Sequence, residues 1–423
     1  VQTEDAETCF IRPPSRASTN MSCRSLIGYL IPEFPGQTHS FFWREIEELS
    51  KLDIDVELFS TRKPKDALAT QDWAAEAKEK TGYLYPLDLA DYGRAVIDCL
   101  VHPSVVSLVL LSSGGAITNR LRRLSLIPFA SKLHRLTKAK GIKHVHVHSC
   151  ANSAYIATLA KCFGSCEYSL TLHNPLGVYG EDQSLKWRRA RFAIVITQKI
   201  YEEVCRELAG HLPPQVLIAP MGVDLPSFTR RTPYPVGETH PARIFSCCRL
   251  NRCKGIEDLL DAIVILRKSG IQVQLRIAGE DDDGGSGYRK ILEAKIRDAQ
   301  LQDSVELLGS LGHIAVRDEL EAAHIFVLAS HAEPLGVAFM EAMAMELPVI
   351  GTNAGGVPEL IDHGDTGWLV EPRCPEGLAE AIASLASDPQ RCMELGRNAR
   401  LEIERNWTSQ RSARAIAEAL STS

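Results

Sequence analysis

No run of about 18 apolar residues occurs in this 423-residue chain, so no helix is expected to cross a bilayer. The nearest approach, VVSLVLLSS from Val105, is broken at once by Gly114 and Gly115. A basic excess is also missing. The formal net charge of −6 argues against a general nucleic-acid binder, and no nucleic-acid partner is expected. The N-terminus carries acidic and polar residues where a secretory signal would need an apolar core. Residues 1–24 read as a disordered tail, and Met21, just ahead of the first strand-like run, reads as an alternative start of translation. The twelve cysteines include no C-x-x-C pair, and Cys162 and Cys166 have no histidine array beside them. This spacing points away from a zinc or redox site and toward reduced thiols in a cytoplasmic protein.

What is present is an ordinary globular composition, 45% apolar and 24% charged, in a chain too long for one core. Strand-like runs alternate with amphipathic helical runs, which predicts α/β architecture with parallel sheets. LIGYLIP, DVELFS, HVHVHS, YSLTLH and FAIVIT read as strands in the first half. RIFSCCRL, QVQLRIAG, SVELLG, IFVLAS and LPVIGT do so in the second. Residues 25–224 and 244–405 are therefore read as two doubly wound, Rossmann-like domains. The proline-rich stretch 225–243 is read as their linker. Residues 406–423 are expected to form a helix that returns toward the first domain. Ligands of open α/β sheets sit at the carboxyl ends of strands. Two such domains facing each other create one cleft, so functional residues should lie in strand-to-helix loops.

Three loops of the second half fit that rule. Arg249 and Lys254 flank a short turn after RIFSCCRL, with Gly255 ahead of a helix. Two cations at a strand end beside a helix N-terminus suit an anion, because free N–H groups and the helix dipole add to the side-chain charge. The blander reading is two surface cations. Glu333 and Glu341 are separated by seven residues after IFVLAS. Pro334, Leu335 and Gly336 turn the chain, and GVAFMEAMAM begins a helix, so Glu333 falls in the loop and Glu341 about one and a half turns into the helix. Amides for phosphate or sugar oxygens and carboxylates for hydroxyls could both face the cleft. The alternative is an acid favoured by the helix dipole plus an exposed helix glutamate. In GTNAGGVPELI, Gly355 and Gly356 allow close backbone approach or form a plain turn.

Together these motifs resemble the C-terminal domain of the family 4 glycosyltransferases, which have the GT-B fold. The pattern is Arg-x-x-x-x-Lys-Gly, the two glutamates around Pro-Leu-Gly, Gly-Thr-x-x-Gly-Gly-x-x-Glu, and HGDTGWLV. The resemblance implies a retaining transferase that uses a nucleotide-diphosphate sugar and needs no metal or other cofactor. It assigns Arg249 and Lys254 to the diphosphate, Glu341 to the ribose and Glu333 to the donor sugar. It sets the backbone of Leu335, Gly336 and Val337 against sugar and phosphate. The first half is similar to the same family. GYLIPEFPGQTHSFFWREI, HVHVHSCAN and LTLHNPLGVYG look most like the transferases of colanic-acid and related exopolysaccharide clusters. Gly36 alone remains of the family's Gly-Gly loop, with Thr38 or Ser40 left to cap the next helix. LIAPMGVDL resembles the segment leading into the hinge, with Met221 in place of the usual Asn. The resemblance places His173 at the donor sugar, beside Asn174 where the family has an aspartate.

His144, His146 and His148 alternate and so share one face of a strand. They are read as a buried strand ending at the cleft rather than a metal cluster. His148 alone is close enough to the strand end to touch an acceptor. EDDDGG, from Glu280, is read as a solvated loop. Between Asp98 and Glu167 there is no Asp or Glu, while nine Lys or Arg occur, among them Arg120, Arg122, Arg123, Lys132, Arg135, Lys138, Lys140 and Lys143. Interleaved with apolar residues, they suggest that residues 120–143 dock on anionic lipid at the inner membrane face, or else form a solvated basic face. The expected reaction is sugar transfer to a glycan or lipid-linked hydroxyl in envelope or exopolysaccharide synthesis. A nucleotide-sugar 2-epimerase of the same fold and a non-catalytic sugar-binding protein are the alternatives.

Overall fold

The computed structural model describes residues 24–422 except 37–38, 65–70, 112–116, 165 and 236–240. Its first sheet is built from β1 (Ser25–Glu33), β2 (Ile54–Arg62), β3 (Gly82–Tyr83), β4 (His144–Val147), β5 (Glu167–Leu172), β6 (Ala193–Val195) and β7 (Val216–Ile218). Its second is built from β8 (Ala242–Cys247), β9 (Val273–Ala278), β10 (Val305–Gly309), β11 (Ile325–Val327), β12 (Val349–Thr352) and β13 (Trp368–Val370). The strand orders are β3-β2-β1-β4-β5-β6-β7 and β10-β9-β8-β11-β12-β13. Neighbouring strands run parallel in both sheets, as covered strands must when helices fill each crossover. Central strands are correspondingly apolar on both faces: all of Ile325–Val327 and Ala193–Val195 is buried.

Each of the ten runs read as strands contains one. The additional strands β3, β7 and β13 are edge strands of two or three residues, too short to show a period. The chain reverses direction across each sheet between β1 and β4 and between β8 and β11. Such switch points open a crevice at the carboxyl ends of their strands. The four loops that leave β1, β4, β8 and β11 are those that carry Gly36, His148, Arg249 with Lys254, and Glu333.

The stretch between the sheets is anchored at Phe228 and Arg230. Phe228 is fully buried, with the Arg44 guanidinium 5.1 Å from its ring centre. Arg230 donates to the carbonyls of Glu321 and Met345. Strand β8 begins at Ala242, inside the segment expected as linker. The chain crosses back at a second point. Val223 N–H donates to Trp407 O at 2.9 Å, and Ser409 N–H donates to Val223 O at 3.1 Å. Gly222 is required there, since a Cβ would lie 2.2 Å from the Thr408 carbonyl carbon. Beyond the crossing, helix Ser409–Ser421 buries Ala413, Ile416 and Ala419 in one cluster with Tyr29, Phe42, Leu49 and Met221 of the first domain.

Candidate functional site

Lys254 ends a short 3₁₀ turn, Arg252–Lys254, which Asn251 caps by accepting from Cys253 N–H. Its Nζ lies 2.5 Å from Glu333 Oε2, and Ser330 Oγ donates to the same oxygen at 3.1 Å. Both partners are nearly enclosed. Burial pulls the lysine pKa down, but the Glu333 charge outweighs it and leaves the group above its ordinary value, so Lys254 is a fixed cation. The Glu333 loop is braced from beneath by the third loop. Gly356 N–H donates to Glu333 O at 2.9 Å, and a Cβ on Gly355, whose φ is +64°, would lie 1.9 Å from that oxygen. The two glycines thus bring their backbone against the Glu333 loop.

Gly336 caps helix Val337–Ala344 with no side-chain cap and no acid in the first turn, and the N–H groups of Val337 and Ala338 have no partner among the described residues, so they can meet a ligand. On the same helix Glu341 is buried, and Arg44 Nη2 donates to its Oε1 at 3.0 Å from the other domain. Burial raises the Glu341 pKa and the Arg44 charge opposes that shift. Glu341 Oε2 has no partner among the described residues.

Two adjoining cavities run along this surface. One of about 250 Å³ is lined by Phe41, His173, Asn174, Met221, Arg249, Lys254, Glu333 and the backbone from Pro334 to Ala338. The other, about 120 Å³, is lined by Ser40, Gln71, Phe228, Gly279, Ser310, His313, Val337, Ala338 and Glu341. Cys247, Cys248, Val337 and Ala338 line both. Arg249, Lys254, Glu333 and His173 therefore share one end of a continuous cleft, and Glu341 stands at the other. Arg249 is half exposed and lies 3.5 Å from Asp282 of the EDDDGG loop. That loop is only partly solvated. Asp281 is buried, accepts from the N–H groups of Asp283, Gly285, Gly287 and Arg289, and is held below the usual carboxylate range despite its burial.

The first-domain residues divide differently. Thr38 lies outside the described residues. Ser40 does not cap helix Ser40–Lys51: it is the first helical residue, and His39 precedes it without a side-chain cap. Gly36 is buried under His39, whose ring would meet a Cβ there at 2.6 Å, and it lines neither cavity. His148 does not reach the cleft surface. It is buried beneath His173, with its Nδ1 3.1 Å from His173 Nε2. Its other nitrogen, Nε2, lies 3.2 Å from Glu45 Oε2, off a hydrogen-bond axis, and Tyr29 O–H donates to that same oxygen at 2.5 Å.

Sequence distance hid Glu45. Two of the three strand histidines do have an acidic neighbour, contrary to expectation: ligand atoms of Glu45, His146 and His148 lie within 4.8 Å of one another. Both His146 nitrogens, however, are engaged with hydroxyls, Nδ1 with Ser169 at 2.7 Å and Nε2 with Thr171 at 2.8 Å. Arg44 and Phe41 were missed as well, and Glu359, the last residue of the Gly-Thr-x-x-Gly-Gly-x-x-Glu motif, was given no role. Glu359 accepts from Gln198 N–H at 2.6 Å and Lys199 N–H at 2.9 Å, so it clasps the start of a first-domain helix. A signal for Glu45 existed. It falls on the apolar stripe Phe42–Glu45–Leu49, where a charged residue must be buried with a partner.

The neutral histidines make stability depend on pH. Burial drives His144 and His173 down to about 3, and His146 and His148 well below their ordinary value. In the unfolded chain these rings take protons near pH 6.5. Their contribution is therefore complete above about pH 6.5 and is lost as the pH falls toward the depressed values. Thermal melting should show Tm falling steeply from about pH 7 to about pH 5, with several protons taken up on unfolding. A flat Tm across that range would contradict these burials.

Comparison with known proteins bears on the fold and on the second half of the chain. The family model for glycosyl transferases group 1 matches residues 236–402. The putative colanic acid biosynthesis glycosyltransferase WcaL of Salmonella typhimurium is 30% identical over 220 residues, 50% of this chain and 52% of that protein. The amylovoran biosynthesis glycosyltransferase AmsK of Erwinia amylovora is 36% identical over 151 residues, 34% of this chain and 35% of that protein. The chain thus spans about half the length of WcaL and less of AmsK. Over the whole fold, Anabaena HepE in complex with UDP-glucose superposes with a TM-score of 0.72 at 18% identity, covering 94% of this chain and 100% of that one. The chain therefore has the GT-B fold, and its second half matches the model of the glycosyl transferases group 1 family.

Proposed function

We propose that this protein transfers a sugar from a nucleoside-diphosphate sugar to a hydroxyl, with retention of anomeric configuration. One observation carries the reading: two joined cavities set Lys254 and Glu333 at one end, Glu341 at the other, and the backbone of Leu335–Ala338 between. A nucleoside diphosphate sugar laid along that line puts its ribose hydroxyls at Glu341. Its phosphates meet the free amides of helix Val337–Ala344, and its sugar lies between Glu333 and His173. Departure of the diphosphate concentrates negative charge where Arg249 and Lys254 supply positive charge, so the proposal asks for no metal. Glu333 is not assigned as a nucleophile, because Lys254 and Ser330 already hold its Oε2. It serves better as an acceptor for sugar hydroxyls. The likeness to WcaL and AmsK favours exopolysaccharide synthesis, with a glycan or lipid-linked acceptor entering from the first domain.

The test is a thermal-shift panel of nucleotide sugars followed by a transfer assay on the one that binds. Transfer to an added acceptor supports the proposal. A new nucleotide sugar formed without acceptor would make the protein an isomerase, and binding with no turnover would make it a non-catalytic binder.

Membrane contact is proposed on altered grounds. The acid-free stretch is not acid-free in space: Arg123 pairs with Asp182, Lys132 and Arg135 with Asp91, and Lys140 with Glu57. Among the described residues no single helix is long and apolar enough to cross a membrane. Helix Leu89–Val101, however, exposes Leu89 (90%), Val96 (61%), Ile97 (60%) and Leu100 (77%). Flotation with anionic liposomes should show binding that Val96→Asp with Leu100→Asp weakens more than Arg122→Glu does. Absence of flotation by the native chain would sink this part of the proposal.

A further inference from the structure

We infer that Glu45 sets the tautomer of His173, through His148, and so makes His173 Nδ1 a hydrogen-bond acceptor for the ligand. The consequence for a sugar rests on the proposed transferase reading, but the tautomer itself does not.

Three buried groups, Tyr29, Glu45 and His148, lead to the half-buried ring of His173. Tyr29 O–H donates to Glu45 Oε2 at 2.5 Å. That oxygen is also 3.2 Å from His148 Nε2, off a hydrogen-bond axis, and this nitrogen, on a side chain with no solvent exposure, has no hydrogen-bond partner among the described residues. A carboxylate has only lone pairs to offer. A bare Nε2 would set two acceptors against each other where no water can intervene, which is costly in a low-dielectric interior. The Nε2 proton therefore belongs to His148. Burial keeps His148 neutral, so it carries one ring proton and its Nδ1 is bare.

Nδ1 of His148 lies 3.1 Å from Nε2 of His173, with the two rings 19° from parallel. A bare nitrogen there needs a donor, so His173 carries its proton on Nε2. His173 is neutral as well, which leaves its Nδ1 bare. Among the described residues that nitrogen has no partner, and the ring it belongs to lines the cavity with Lys254 and Glu333. A sugar hydroxyl can donate to it. Had Glu45 been absent, neither tautomer of the pair would be favoured, and His173 would present a donor or an acceptor in turn.

His146 does not enter the relay, because its two nitrogens are spent on Ser169 and Thr171. The same engagement argues against Glu45, His146 and His148 acting as a cation site, since His146 has no lone pair free. Glu45 and His148 are thus positioning residues for His173.

Long-range proton–nitrogen correlation spectra of the full chain labelled with nitrogen-15 histidine read each ring's tautomer without any substrate. Signals of His148 and His173 are assigned by their loss in His148→Gln and His173→Gln. The native spectrum should show Nε2 protonated and Nδ1 bare in both rings. Glu45→Leu combined with Tyr29→Phe, which leaves no orphaned hydroxyl, should shift both rings toward averaged nitrogen signals. Tyr29→Phe alone should leave the native pattern. A proton on Nδ1 of either ring in the native protein would overturn the inference, and so would an unchanged pattern in the double variant. If the double variant does not fold, the native spectrum decides alone. The absence of any nucleotide-sugar binding would defeat the transferase reading and leave the tautomer result standing.

Discussion

Lys254→Ala is expected to lower donor turnover by about a hundredfold or more, the usual consequence of removing one positioned donor to developing negative charge. Two effects combine. The cation that would face the leaving diphosphate is gone, and Glu333 is left almost enclosed with only Ser330 on its Oε2. Breaking a buried ion pair from one side costs about 3–5 kcal/mol, because the remaining charge has lost its compensation. Tm should therefore fall together with turnover. The two effects separate in the double variant Lys254→Ala with Glu333→Gln, which removes the stranded charge. Tm should recover most of the loss while turnover does not. Recovery of turnover in the double variant would mean that Lys254 serves only to hold the loop.

Glu341→Ala is expected to weaken nucleotide binding by about ten- to a hundredfold, the range for one hydrogen bond to a charged acceptor. Arg44 holds Oε1, and the proposed reading gives Oε2 to a ribose hydroxyl in the cavity that the residue lines. Removing it also strands Arg44, a buried cation whose Nη1 already has no partner. Tm should fall, and the contact between the two domains should loosen. Glu341→Gln keeps an acceptor for Arg44, so its loss of stability should be smaller than that of Glu341→Ala. Calorimetric titration with the nucleotide and a melting curve for each variant measure the two quantities. Unchanged affinity in Glu341→Ala would remove the ribose assignment.

The second domain was largely legible because its chemistry is local. Arg249 and Lys254 lie five residues apart in one loop, and Glu333 and Glu341 flank one turn and one helix start, so spacing placed the first three in loops that follow strands and Glu341 in the helix beyond. The cross-domain chemistry was not legible. Arg44 meets Glu341 across 297 residues of chain, and only the docking of helix Ser40–Lys51 over the cleft brings them together. The histidine strand was read as buried and is buried, but its acid came from that same distant helix. The partners of the basic stretch were not legible for the same reason. Absence of acid nearby in sequence says nothing about Asp91, Asp182 and Glu57, which the fold delivers to Lys132, Arg135, Arg123 and Lys140. Edge strands β3, β7 and β13 escaped because two or three residues cannot display alternation.

The central claim is that the cleft holds a nucleoside diphosphate along the line from Lys254 to Glu341. Titration calorimetry of the native chain with UDP, UDP-glucose and the corresponding guanine and adenine nucleotides tests it most directly. The account predicts that at least one of them binds with one site per chain, and that Lys254→Ala and Glu341→Ala each weaken that binding. Failure of every nucleotide to bind the folded native chain, or binding that neither substitution alters, would contradict it.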